Sequence, residues 1–108
     1  MSWTDARTKC AVDFNNGDLA SIADQETQDF LFSLTSGLHT WVGGQKSQNG
    51  EWSWSDGSTW RYTNWNRGEP NGYGDVHLRL KESTGGLWSD WKESKAQTFI
   101  CQYEGKHL

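Results

Sequence analysis

Apolar positions near the start of the chain recur at helical spacing. Trp3, Ala6, Cys10 and Phe14 follow one another at intervals of three to four residues, the period of one helix face, and Ser2 with Asp5 three residues on resembles a capping box. Cys10 is therefore expected to point inward. Asn15, Asn16 and Gly17 read as the stop, with Gly17 expected to take the left-handed conformation that ends many helices. After a short apolar run from Leu19 to Ile22, Asp24 is expected to cap a second helix. Thr27, Phe30, Leu31 and Leu34 would share its inner face, and Ser36 and Gly37 would close it. Beyond Gly37 the pattern changes to short aromatic or β-branched runs set between Gly, Asn, Asp and Ser, which is how strands and loops read. Thr40 to Val42 is one such run. Trp52 and Trp54 alternate with serines before the turn Ser55, Asp56, Gly57, and further strands are expected at Val76 to Leu80, Leu87 to Trp91 and Thr98 to Tyr103. His77 sits in a run of alternating polarity and is expected to face solvent. Arg79, Lys81 and Glu82 read as a mixed solvated face.

Between these runs lies a long polar segment, Arg61 to Gly74, with almost no aliphatic residue; Tyr62, Trp65 and Tyr73 are its anchors. Loops of this length in compact domains are usually functional or disordered, and aromatic anchors favour the ordered kind. Composition agrees with an aromatic scaffold. Only 33% of the 108 residues are hydrophobic, yet eight are Trp, so tryptophan must supply much of the buried area. The length fits one domain, residues 1–108. A net charge of -4 with scattered Lys and Arg lacks the basic face that a nucleic-acid partner needs. No stretch approaches the roughly 20 apolar residues of a membrane helix, so no membrane insertion is expected, and the start lacks the apolar core of a secretion signal. Cys10 and Cys101 are the only cysteines. A disulfide between them would close a loop of about 90 residues, worth roughly 4 to 5 kcal/mol in the chain-entropy model; two buried reduced thiols are the alternative. Two cysteines do not make a tetrahedral zinc site, and His39, His77 and His107 are too scattered for a metal or catalytic cluster. No nucleophile elbow or acid–base spacing marks an enzyme.

The order of elements and signature residues resembles a C-type lectin-like domain over nearly the whole chain. Trp3, Ala6 and Cys10 match that family's first helix, Leu19-Ala20-Ser21-Ile22 the link to its second, and Trp41-Val42-Gly43-Gly44 its central strand motif. Trp52, Trp54, Asp56-Gly57-Ser58, Tyr62, Asn64-Trp65 and Glu69-Pro70-Asn71 follow in the family's order, and then Trp88-Ser89-Asp90 and Phe99-Ile100-Cys101. The resemblance implies an α+β, C-type lectin-like fold, with two helices packed on small antiparallel sheets and a long calcium-binding loop. It also implies a disulfide between Cys10 and Cys101. The family's second disulfide is absent, its positions held by Asp75 or a neighbour and by Glu93. The amino-terminal strand that the family sets beside its last strand is missing, which is expected to leave that edge open or covered by another chain.

Function follows from the same resemblance. Calcium takes six to eight oxygen ligands, so a site needs carboxylates and amide carbonyls from several segments. Glu69 and Asn71, flanking a proline that the family holds in cis, are implied as ligands, with Asp75 and Asp90 supplying further carboxylates. Ser89 stands where the family has Asn, exchanging a carbonyl ligand for a hydroxyl. Glu-Pro-Asn at this place goes with the equatorial hydroxyl pair of mannose-type sugars, which implies carbohydrate binding by Glu69, Asn71 and Asp90, with Tyr73 stacking on a ring. The accessory calcium site is expected to be absent, because Gln45, Asn49 and Gly72 replace its acids. The expected setting is secreted or extracellular, with a homo-oligomer compatible with multivalent glycan binding. The alternative is a calcium-independent protein-interaction module that displays the long loop to a protein ligand. An ice- or mineral-surface role rests on fold precedent alone.

Overall fold

A computed structural model describes residues 1–70, 76–81, 85–92, 97–103 and, by backbone alone, 106–107. Helix α1 spans Trp3–Asp13. Its cap Ser2 accepts from the Asp5 amide, and Trp3, Ala6 and Cys10 are its buried residues. The left-handed residue at its end is Asn16, with φ of 61°, not Gly17. Glycine is required at 17 for a different reason: a Cβ there would lie 2.1 Å from the Cys10 carbonyl oxygen. Strand β1, Asp18–Leu19, leads to helix α2, Gln25–Leu34, where Asp24 accepts from the Thr27 amide at 2.8 Å. The buried face of α2 is Gln28 and Leu31, and Phe30 and Leu34 turn outward, 50% and 41% exposed. The apolar spacing therefore identified the helix and misplaced its inner face. Ser36 and Gly37 follow the cap Thr35 and close α2 as expected, and both have positive φ.

Among the described residues the sheet strands are β2 (Thr40–Lys46), β3 (Trp52–Trp54), β4 (Val76–Lys81), β5 (Leu87–Lys92), β6 (Thr98–Phe99), β7 (Cys101–Tyr103) and β8 (Lys106–His107). The larger sheet runs β3-β2-β4-β5, with β6 added parallel to β2. A smaller sheet runs β1-β7-β8, so β7 is flanked on both sides. The expected last strand is thus two strands, broken at Ile100, whose amide donates to the Trp41 carbonyl.

Alternation along β2 divides the interior. Trp41 packs with Trp3, Ala6, Cys10, Leu19 and Cys101, whereas its neighbour Val42 joins Ile22, Leu31, Trp54, Leu78, Leu80, Trp88 and Ile100. Cys10 and Cys101 form the disulfide in the first group. In the second group Trp54 and Trp88 are buried, and Trp52, Trp60, Tyr62 and Trp65 pack against it half-buried. Two expectations on β4 fail here. His77 does not simply face solvent: its ring stacks on Trp3 at 4.0 Å. Arg79 is buried at 6% exposure, because α1 and the aromatic ring of Trp91 cover the face that alternation alone marked as wet.

Candidate functional site

The long polar segment is held to the outer edge of β5 through its backbone. Trp88 donates its amide to the Asn64 carbonyl at 2.8 Å, and Asn66 donates to the Trp88 carbonyl at 2.8 Å, a parallel bridge centred on Trp65. A turn follows, closed by the Glu69 amide on the Asn66 carbonyl at 2.9 Å, and the Glu69-Pro70 bond is cis. This route delivers Glu69 to Asp90, two residues along β5 from Trp88. Asp90 itself is 4% exposed and pairs with Leu78 on β4.

Two carboxyl groups therefore meet. Burial, then the hydrogen bond and the charge of Asp90, hold the Glu69 carboxyl above its ordinary value. Among the described residues, Glu69 Oε1 is buried with no hydrogen-bond partner. A carboxylate oxygen out of water beside a second carboxyl is poorly placed unless a cation joins it. Oxygen donors of this kind are what a hard divalent cation takes, so this pair fits part of a calcium ligand set. No group of three or more His, Cys, Asp or Glu able to hold a metal occurs among the described residues. Asn71, Tyr73 and Asp75, the other expected site residues, lie outside the described residues.

Ser89 and Asp90 are consecutive in a regular ladder, so their side chains leave opposite faces of β5. The Ser89 hydroxyl accepts from Arg79 Nε at 3.0 Å, on the face away from Asp90. Burial pulls the Arg79 guanidinium below its ordinary value, and the charges of Glu69 and Asp90 oppose that pull. Behind the site, Trp88 donates its indole N–H to Gln28 Oε1 at 2.7 Å, and Gln28 Nε2 donates to the Gly86 carbonyl at 2.8 Å. Gly86 has φ of 88°, and a Cβ there would meet the Phe32 ring at 2.5 Å. Helix α2 thereby fixes the start of β5. Trp60 completes the support, with ring centroids 4.6 Å from Trp54, 5.7 Å from Trp88 and 6.5 Å from Trp65. Gln28 and Trp60 were not singled out from the sequence, and Arg79 was read there as part of a solvated face. The aromatic density before the loop is the one signal that pointed toward Trp60.

The loop is thus laid along a sheet edge with two carboxyls at its end. Residues 1–103 match the Lectin C-type domain family. The chain is 35% identical over 113 residues to the C-type lectin lectoxin-Lio3 of Erythrolamprus poecilogyrus, covering 97% of this chain and 70% of that protein. It spans 64% and 68% of two further lectins it matches. Among solved structures, it resembles the cow C-type carbohydrate-recognition domain of CD23, in a crystal with a GlcNAc2Man3 oligosaccharide. There the TM-score is 0.82 at 30% identity, over 94% of this chain and 78% of that one. A calcium-independent type II antifreeze protein matches with TM-score 0.82 at 27% identity, over 94% and 76% of the two chains. The chain belongs to the C-type lectin domain family. Carbohydrate binding is the family's activity, and the domain is not an enzyme.

Proposed function

We propose that this domain binds mannose-type glycans through one calcium ion held by Glu69, Asn71, Asp75 and Asp90, in a secreted or extracellular setting. The observation that carries the reading is the meeting of the Glu69 and Asp90 carboxyls, with Glu69 Oε1 buried and without a hydrogen-bond partner among the described residues. Calcium supplies open coordination positions for two adjacent sugar hydroxyls. Glu69 and Asn71 hydrogen-bond the same hydroxyls, with the Glu69 carboxylate accepting, the Asn71 amide donating and the Glu-Pro-Asn order favouring an equatorial pair. Tyr73 stacks on the ring. The relative crystallised in the presence of GlcNAc2Man3 supports this sugar class by similarity alone.

Calorimetric titration with calcium, then with mannose and galactose, tests it. Heat with calcium and mannose but little with galactose is expected; no heat up to millimolar calcium overturns it. Asn71→Ala is expected to abolish mannose binding and to move stability by no more than about 0.5 kcal/mol, as surface substitutions do. A second reading, a calcium-independent module for a protein ligand, is favoured by the Ser89 hydroxyl being taken by Arg79 and by the calcium-independent relative.

A further inference from the structure

The arm of the loop that carries Glu69 has no covalent cross-link to the sheet. The chain has two cysteines, and they are joined to each other between α1 and β7. The arm is held at Trp88, which donates its amide to the Asn64 carbonyl and accepts from the Asn66 amide, both at 2.8 Å; the Glu69 amide then closes on the Asn66 carbonyl at 2.9 Å. Trp88 and Asp90 pair with Leu80 and Leu78, so both side chains leave one face of β5, the face where Leu31 of α2 packs with Leu78, Leu80 and Trp88.

On that face a single buried amide of α2 meets Trp88. Gln28, 2% exposed, accepts from the Trp88 indole N–H at 2.7 Å through Oε1 and donates to the Gly86 carbonyl at 2.8 Å through Nε2. The second bond sets which way the side chain points, because an amide has a donor end and an acceptor end, and so aims the acceptor at the indole. Gly86 and Trp88 are two residues apart. One side chain therefore grips both the turn into β5 and the residue on which the loop rests. Both bonds are buried, so removing the amide leaves an indole N–H and a carbonyl unsatisfied out of water. Gln25, one turn earlier, makes the same arrangement at the surface: Nε2 donates to Asp29 Oδ1 at 2.8 Å, and Oε1 accepts from the Tyr62 hydroxyl. Water can substitute for those exposed bonds, so Gln25 is the surface counterpart against which Gln28 is judged.

We propose that Gln28 is the positioning residue of the Glu69 arm: by holding Trp88 it keeps the arm docked on β5, and Glu69 beside Asp90, before any metal arrives. Calcium affinity depends on it because a ligand set ordered on folding does not have to be ordered on binding. The docking stands on the hydrogen bonds alone, whereas its effect on affinity rests on the calcium reading.

Amide hydrogen exchange in chelator, followed by calcium calorimetry, decides it, with Gln28→Met and Gln25→Met beside the parent chain. Gln28→Met keeps the length of the side chain and removes both bonds. The Trp88, Asn66 and Glu69 amides are expected to exchange roughly tenfold faster than in the parent, while those of Ala20 and Gly43, which donate to the Ile100 and Ala20 carbonyls, stay within about twofold. Calcium is expected to bind roughly fivefold more weakly. Gln25→Met is expected to leave the same three loop amides and the calcium affinity within about twofold of the parent. A merely structural role would speed all five amides alike. If Gln28→Met does not fold, Gln28→Asn, which keeps the amide and shortens its reach by one methylene, takes its place with the same expectation. Uniform acceleration, or none, overturns the proposal and leaves the calcium reading standing. So does a parent that binds calcium no more tightly than a folded Gln28 variant. A parent that binds no calcium overturns that reading, and the loop amides alone then decide the docking.

Discussion

Two halves of the molecule, divided by the same sheet, are held together by different means. On the α1 side, Trp3, Ala6, Cys10, Leu19 and Trp41 pack around a disulfide whose partners are 91 residues apart in sequence. On the loop side there is no disulfide among the described residues. Trp54, Trp60, Trp65 and Trp88 meet at tilted or edge-on angles, and the loop that carries Glu69 hangs on backbone bonds from its Asn64 and Asn66 to Trp88. The difference separates two jobs. A covalent closure limits the unfolded chain and stabilises the scaffold wherever the site is. Aromatic packing is local, so it decides how accurately Glu69 is set beside Asp90.

The sharpest way to break this contrast is at the disulfide. Replacing Cys10 and Cys101 together by Ser is expected to cost about 4 to 5 kcal/mol in chemical denaturation, as a loop of this length implies. Unchanged stability would show that the α1 half stands without it. Next comes Trp60→Ala, expected to cost about 2 to 3 kcal/mol, less than a fully buried Trp because the ring is half-buried. Calcium affinity should fall in the same variant, while the near-ultraviolet dichroism of the Trp3–Trp41 half persists. A variant with intact calcium affinity would mean that the tryptophans do not position the loop.

These two expectations also mark what was legible in the chain. Ser2 and Asp24 announced both helix starts because a capping oxygen must stand at a fixed offset from its amide, and the structure places both bonds there. Glu69 and Asp90 were nameable because Glu69-Pro70-Asn71 and Trp88-Ser89-Asp90 resemble the family's motifs, although only their spatial meeting gives them meaning. The failures share one cause. Arg79 and His77 lie on a face that alternation marks as polar, and what covers it comes from α1 and from β5, distant in sequence. Gln28 is buried, whereas Phe30 and Leu34 are not, because Gln28 answers the Trp88 indole and the Gly86 carbonyl. Hydrophobic periodicity carries no record of such a partner. The two-residue strands β1 and β8 are shorter than any pattern can reveal.

A smaller effect separates the site from its support. Glu69→Gln removes the repulsion with Asp90, so the calcium-free protein is expected to melt slightly higher while calcium binds roughly tenfold or more weakly. Its counterpart is pH. The folded Glu69 carboxyl lies above its ordinary value of 4.5, so between that value and the folded one the native state binds more protons than the unfolded chain. Glu69 thus makes the calcium-free protein more stable as pH falls through that window. Calcium needs the carboxylate form, so its affinity falls over the same range. Calcium affinity flat from neutral pH down to 4.5 would contradict the assignment of Glu69 as a ligand.

Terbium(III) stands in for calcium and emits when a tryptophan close to it is excited, and Trp65 and Trp88 lie on the path that joins Glu69 to Asp90. Sensitised emission that calcium displaces, and that both Glu69→Gln and Asp90→Asn abolish, is the predicted result. Emission that survives in those two variants, or none in the parent chain, would contradict a cation held between the two carboxyls.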